Sequence, residues 1–165
     1  DRLGLLPQVG ETALMDERIF RPETFELRTD LLHLDLADRI ALDIDKRRLF
    51  VNFEKMRVRS QADIDMIRKQ VEEICAPLGY RVDVIVNYDG ARVDEDVSEN
   101  YAEKVRSLED RFYDAVTRYS GSAFMRMKLG ESFGRDSPPH IFETAEQARS
   151  FLERRNTNQR KTVAC

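Results

Sequence analysis

The sequence has no tryptophan and only two cysteines, and none of its apolar runs approaches the ~20 residues that a membrane-spanning helix needs. Cys75 and Cys165 lie far apart, so their spacing fits neither a redox pair nor a metal site. These absences exclude an integral membrane protein and a disulfide scaffold, and a reducing cytosol is the expected compartment. Residues 39–155 also contain no low-complexity segment, and we expect no internal repeat there.

The composition that is present is typical of one soluble globular domain. The chain has 165 residues, of which 41% are hydrophobic and 35% are charged, and 27 basic against 31 acidic residues give a net charge of −4. The basic residues alternate with acidic ones, so we expect neither nucleic acid nor a membrane as a partner. The first residues carry no initiator methionine and no targeting leader, which indicates a piece cut from a longer protein.

Hydrophobic periodicity divides the chain into an arm, a domain and a tail. Residues 1–38 lack periodicity, and their scattered apolar side chains need a surface to pack on. Residues 39–155 predict an α/β domain, with a mixed, mostly parallel sheet that is opened by a β-hairpin and covered by about four helices. Residues 156–165 are predicted to be a frayed tail. The predicted elements are a hairpin within residues 40–53, a helix from Ser60 to Pro77 and Gly79, a buried strand at 81–87, a helix over 97–116 that is the longest, a short strand at 117–120, a helix from Ser122 to Phe133, a strand at 140–142 and a final helix opened by Thr144 and Gln147.

An acidic loop follows the predicted central strand. Asp89, Asp94 and Asp96 surround Gly90 at the carboxyl end of a parallel strand, where α/β folds commonly bind ligands. Clustered carboxylates could hold a hard cation such as Mg²⁺. The alternative is that they cap and solvate the start of the next helix, where the helix dipole favours negative charge. We expect the second arrangement, and therefore no bound metal.

A second candidate is an anion site at the start of the following helix. Ser120, Gly121 and Ser122 lie at this helix N-terminus, and Arg126 and Lys128 lie one turn further along. Backbone N–H groups and the helix dipole could together bind an anion there. A phosphate loop has more glycine than this, so the alternative is an ordinary helix cap at Ser122.

The two histidines offer no catalytic pair. Neither His33 nor His140 has a nucleophile or a metal-binding partner near it in the sequence. His140 follows two prolines and precedes Ile141, so we expect it to begin a strand.

Four segments and part of the arm resemble one enzyme family. In their order and spacing they resemble the C-terminal region of bacterial acyl-CoA:acetate/3-ketoacid CoA-transferases of the propionate CoA-transferase type, and the block at residues 118–130 is the most specific. The matching segments are Phe50-Val51-Asn52-Phe53-Glu54, Val86-Asn87-Tyr88-Asp89, Arg118-Tyr119-Ser120-Gly121-Ser122-Ala123-Phe124-Met125-Arg126-Met127-Lys128-Leu129-Gly130, His140-Ile141-Phe142-Glu143 and, in the arm, Met15-Asp16-Glu17-Arg18-Ile19-Phe20.

This resemblance implies that the chemistry lies outside the chain. In this family a glutamate of the large domain forms a glutamyl-CoA thioester, and a buried carboxylate suits that role because it holds acyl intermediates away from water. The triplet Ser98-Glu99-Asn100 is followed by Tyr101, where the family signature has glycine. The resemblance therefore implies a non-catalytic accessory domain that is inactive alone and binds no cofactor itself. Coenzyme A would be a substrate of the parent enzyme, and the expected partners are the catalytic domain and, in a homo-oligomer, other copies in the bacterial cytoplasm.

The element order is also similar to the STAS-like fold of anti-sigma-factor antagonists. Those proteins carry a phosphorylatable serine in a strand-to-helix loop, and the corresponding segment here, Asn87-Tyr88-Asp89-Gly90-Ala91, has none. A topology does not carry a function. A stand-alone STAS-like module that binds a protein or an apolar ligand therefore remains the alternative to the accessory domain.

Overall fold

The structure is a computed structural model, and it describes residues 36–134 and 140–164. Most of the arm, including His33, lies outside these ranges, as do Pro138, Pro139 and Cys165. The described chain begins with a 3-10 helix (Leu36–Arg39). It continues through β1 (Ile40–Asp43), β2 (Arg48–Asn52), β3 (Arg57–Val58), α1 (Gln61–Cys75), a second 3-10 helix (Ala76–Leu78), β4 (Val82–Asn87), β5 (Arg92–Val93), α2 (Glu95–Phe112), β6 (Tyr113–Tyr119), α3 (Ala123–Phe133), β7 (Ile141–Phe142) and α4 (Ala145–Ala164).

Five of the strands form one mixed sheet. Its order is β1-β2-β4-β6-β7, in which the first pair is antiparallel and the other three pairs are parallel. Strands β3 and β5 form a separate, two-stranded parallel sheet. The prediction of an α/β fold whose mostly parallel sheet is opened by a hairpin is confirmed.

The two faces of the sheet are covered unequally by the described helices. Successive parallel strands are added in one direction, so right-handed crossovers place α1, α2 and α3 on the same face. The core on that face joins Val82, Val84 and Val86 of β4 to apolar side chains of these three helices. Ile85 points the other way and packs with Ala148 and Leu152 of α4.

The capping residues predicted from the sequence begin and end helices in the structure. The Ser60 side chain accepts a hydrogen bond from the Asp63 N–H, and Gly79, with φ of 73°, ends the 3-10 turn after α1. At α4, Thr144 Oγ1 accepts from the Gln147 N–H at 3.2 Å, and Gln147 Oε1 accepts from the Thr144 N–H at 3.3 Å. This is a complete capping box, as predicted.

The boundary between α2 and β6 differs from the prediction. Residues up to Val116 fit a helical apolar stripe, yet α2 ends at Phe112 and Tyr113 is already extended. Strand β6 pairs with β4 from Tyr113 onward, and Thr117 Oγ1 donates to the Val84 carbonyl at 3.0 Å. Val116 packs against the core from a strand, so its apolar character does not distinguish the two structures.

The predicted frayed tail is instead the second half of α4, which extends through residue 164 and is longer than α2. Asn156 Nδ2 donates to Asp83 Oδ2 at 3.2 Å, and Arg155 forms an ion pair with Asp114 at 3.1 Å. The contacts to β4 and β6 thus anchor α4 on the sheet at the predicted boundary, and the helix continues past it. At the other boundary, the 3-10 helix at residues 36–39 already packs on the domain, and Arg39 is buried.

Candidate functional site

The loops after β2, β4, β6 and β7 lie side by side at the carboxyl edge of the sheet. Backbone hydrogen bonds connect them, from Phe53 N to Asn87 O, from Tyr88 N to Tyr119 O and from Ser120 N to Phe142 O, at 2.9 to 3.0 Å. In open α/β sheets this is the edge where ligands bind. It is therefore the candidate functional site of the described chain.

A short repeat, which the sequence analysis missed, forms part of this edge. Residues 51–58 (Val-Asn-Phe-Glu-Lys-Met-Arg-Val) match residues 86–93 (Val-Asn-Tyr-Asp-Gly-Ala-Arg-Val) in type at six of eight positions. Asn52 and Asn87 are neighbours in register, and each side chain accepts a hydrogen bond from the N–H two residues later. Lys55 and Gly90 then take the same left-handed conformation, with φ of 56° and 67°. The expectation of no internal repeat is therefore wrong.

The structure joins the two sites that the sequence predicts separately. Asp89 Oδ1 accepts a hydrogen bond from the Gly121 N–H at 2.5 Å. These residues are 32 positions apart, but the two loops meet because their parallel strands end at one edge. The Gly121 N–H of the predicted anion loop is therefore already bound to a carboxylate of the chain itself.

The hydroxyl groups of that loop are also engaged within the chain. Ser120 Oγ accepts from the Ser122 N–H at 3.1 Å, and Ser122 Oγ accepts from the Met125 N–H at 3.2 Å. Ser122 is therefore the N-cap of α3, which is the structural alternative given above.

The two cations of the predicted anion site point to groups of the chain. Arg126 Nη1 donates to the Ser120 carbonyl at 2.8 Å, and its Nη2 lies 3.6 Å from Glu143 Oε1. Lys128 Nζ lies 5.6 Å from the centre of the Phe124 ring. Arg126 closes the loop from which its helix begins, and an anion-binding role for these residues stays a prediction.

The carboxylates of the predicted acidic loop have different surroundings and do not form one cluster. Asp94 accepts two hydrogen bonds from Arg57, at 2.9 and 3.1 Å, and this contact lowers the pKa of the Asp94 carboxyl group. Asp96 lies in the first turn of α2, where negative charge is favourable. Among the described residues, no group of three or more histidine, cysteine or acidic side chains is placed to hold a metal ion.

A buried arginine next to this edge was not predicted. Arg118 of β6 is only 3% exposed, forms an ion pair with Glu109 of α2 and places its guanidinium 3.8 Å from the centre of the Phe133 ring. Beside it, the Tyr88 and Tyr101 hydroxyl groups lie 2.6 Å apart, and burial raises the pKa of both. No local sequence signal marks this burial, because the partners Glu109 and Phe133 lie on other elements.

His140 lies directly before β7, one residue ahead of the strand that it was expected to begin, in a left-handed conformation with φ of 46°. Its ring lies 4.2 Å from the Phe151 ring, and its carbonyl accepts from the Arg118 N–H at 3.1 Å. The pKa of its imidazole is lowered, mainly by burial and to a smaller extent by the positive charges of Arg155 and Arg118.

Comparison with known proteins gives no match: no family model, no curated protein and no solved structure matches this chain. In the part of the chain that the structure describes, no helix combines the length and the apolar character needed to cross a membrane.

Proposed function

We propose that this chain is the non-catalytic C-terminal accessory domain of a CoA-transferase. The parent enzyme would move CoA between a short-chain acyl-CoA and a carboxylic acid such as acetate or a 3-ketoacid. The motif at residues 118–130 supports this proposal from the sequence. In the structure it forms the end of β6, the following loop and most of α3.

The observation that carries the non-catalytic role is the engagement of the polar groups at the carboxyl edge. The Asp89 carboxylate binds the Gly121 N–H, Ser122 caps α3 and Arg126 binds the Ser120 carbonyl. A serine nucleophile needs an adjacent base that is free to take its proton, and a carboxylate nucleophile must itself be free to attack. These side chains instead hold the loops together, so the glutamyl-CoA chemistry belongs to the catalytic domain of the parent and CoA is its substrate.

Helix α3 offers a surface for a partner. Phe124 and Met127 lie on one side of it and are 63% and 52% exposed. Neighbouring exposed apolar groups are typical of interaction sites. This observation fits an accessory domain that contacts its catalytic domain or another copy in a cytoplasmic homo-oligomer, and it equally favours the second candidate, a stand-alone STAS-like interaction module.

Immunoprecipitation from the source cells separates the two candidates. Antibody against this chain should precipitate an activity that transfers CoA from acetyl-CoA to a short-chain acid, and an excess of the purified 165-residue chain should abolish the precipitation. The purified chain alone should have no activity. Precipitation of the antigen without transferase activity would contradict the accessory domain and favour the interaction module.

A further inference from the structure

The sheet face that carries α4 is only partly covered by the described helices. Helix α4 packs against β4, β6 and β7, whereas β1 and β2 lie at the other end of the strand order. The helix reaches β2 through the ion pair between Glu153 and Arg48. On this face of β2, Phe50 packs at the margin of the core that Ile85 forms with α4, and it is only half-buried. We call this part of the sheet, beside α4, the β1–β2 face.

The β1–β2 face needs a further layer. Ala41 of β1 lies beside Phe50 in register and is also half-buried, so the two strands present apolar side chains next to α4. Strand β2 pairs with β4 in parallel, and parallel sheets are normally covered on both faces. Helices α1, α2 and α3 lie on the opposite face, so none of the described helices supplies this layer.

The described chain begins at the border of this face. The 3-10 helix Leu36–Arg39 directly precedes the edge strand β1 and packs against β2. Arg39 Nη1 donates to the carbonyls of Asn52 and Glu54, at 3.1 and 3.0 Å, which fixes the start of the described chain at the carboxyl end of β2. The 35 residues before it span more than about 100 Å when extended, so they are long enough to cross two strands.

The composition of residues 1–35 matches what this face requires. Thirteen of them are leucine, isoleucine, valine, methionine or phenylalanine, and such side chains need an apolar surface. The segment also contains eight acidic and four basic residues, so the whole net charge of −4 lies within it.

Helix α4 carries the opposite charge. It has five basic and two acidic residues, and one of the acidic residues, Glu153, is already paired with Arg48. Arg149 and Arg160 lie on the same side of the helix as Glu153, because they are four residues before it and seven after it. The side of α4 that faces β2 is therefore complementary to an acidic segment with apolar side chains.

We propose that residues 1–35 of the same chain pack on the β1–β2 face, beside α4, with apolar side chains on Ala41 and Phe50 and carboxylates toward α4. The arm is then a layer of this domain, and the exposed side chains of α3 on the opposite face stay available to a partner. This proposal goes beyond the CoA-transferase assignment and does not depend on it.

Paramagnetic broadening in NMR spectra of the full chain tests the proposal. A nitroxide is attached to one introduced cysteine at a time in a Cys165→Ser background, in which Cys75 is buried. Ile44→Cys places the label in the turn between β1 and β2, where the side chain is 70% exposed, and Thr157→Cys places it on the exposed side of α4. Met127→Cys on α3 is the control for the opposite face.

We expect the Ile44 and Thr157 labels to attenuate backbone amide signals of residues 1–35 several-fold, and reduction of the nitroxide to restore them. The Met127 label should leave these signals unchanged. The proposal is overturned if the Ile44 label has no effect on residues 1–35, or if all three labels attenuate them equally.

A mixed sample distinguishes this packing from an exchange of arms between two copies. Isotope-labelled protein without a nitroxide is combined with unlabelled protein that carries the nitroxide at Ile44→Cys. The signals of residues 1–35 should keep their full intensity. Attenuation in this sample would show that the arm lies on a second copy, and would overturn packing within one chain.

Substitutions on the two faces give a matched comparison. Phe50→Ala should weaken the attenuation by roughly half or more, because it removes a large apolar contact from the β1–β2 face. Phe124→Ala makes the same change on α3 and should leave the attenuation unchanged. Ala41→Glu keeps the test decisive if Phe50→Ala does not fold, because it adds a negative charge beneath the acidic arm from an edge strand. Unchanged attenuation in a folded Ala41→Glu protein would contradict the proposed packing.

Discussion

Replacing Asp89 with alanine tests whether its carboxylate holds the two central loops of the carboxyl edge together. In the structure, Asp89 Oδ1 accepts the Gly121 N–H at 2.5 Å, and this side-chain contact joins the loop after β4 to the loop after β6. If Asp89 served a ligand instead, its removal would affect binding and leave stability almost unchanged. The variant therefore separates a structural from a ligand-binding carboxylate.

The expected loss of stability follows from the type of bond and its exposure. Hydrogen bonds to a charged group contribute roughly 1.5–3 kcal/mol, and the exposure of Gly121 places this one near the lower end, at about 1–2 kcal/mol. With an m-value of ~2 kcal/mol/M in urea, the unfolding midpoint should fall by roughly 0.5–1 M.

Urea unfolding followed by circular dichroism measures this shift against two control variants. Asp89→Asn retains an oxygen acceptor and should recover more than half of the loss. Asp96→Ala removes the same charge from the first turn of α2 and should cost about 0.5 kcal/mol or less. A loss below about 0.3 kcal/mol in Asp89→Ala, or equal losses in both Asp89 variants, would refute the proposed bond.

Three further predictions concern the turns, the second core and the thiol. Gly90→Ala should lower the free energy of unfolding by about 1 kcal/mol, because alanine is strained in the left-handed conformation. Lys55→Gly, at the equivalent left-handed position, should not lower it. Equal urea midpoints for the two variants would contradict the left-handed conformation at these two turns. Leu152 belongs to α4 and is fully buried, so Leu152→Ala should lower the free energy of unfolding by about 2–5 kcal/mol. A loss below about 1 kcal/mol in thermal unfolding would show that α4 packs only loosely on the sheet. Burial raises the pKa of Cys75 to about 11, so its thiol is protonated at neutral pH. In a Cys165→Ser protein we therefore expect a thiol reagent to modify Cys75 only on unfolding, and rapid labelling of the native protein would show that the thiol is accessible.

Local signals account for the parts of the fold that the sequence predicts correctly. The Ser60 cap, the left-handed Gly79 and the box formed by Thr144 and Gln147 each act within four residues, so their partners are visible in the sequence. The buried strand β4 is likewise evident from its run of β-branched residues.

Long-range pairing decides the parts that could not be predicted. Val116 fits a helix and a strand equally well, and only pairing with β4 selects the strand. Asn156, in the part of α4 beyond the predicted boundary, bonds to Asp83, which lies 73 residues earlier. No local pattern contains this information.

The candidate site shows the same division between local and distant information. Asp89 and Gly121 are both recognisable as polar or flexible positions after strands, but the sequence does not show that they bind each other. The buried ion pair of Arg118 with Glu109 likewise depends on how β6 packs beneath α2. Both predicted segments do lie at one edge of the sheet, but the sequence does not show which of their groups bind each other.

The mass of the native polypeptide tests the central claim most directly. Antibody against this chain is used to capture the protein from a lysate of the source cells, and the captured polypeptide is sized and its peptides are sequenced. The account predicts a polypeptide several times larger than 19.3 kDa whose additional peptides include a Ser-Glu-Asn-Gly segment. A native polypeptide of 19.3 kDa would contradict an accessory domain of a CoA-transferase.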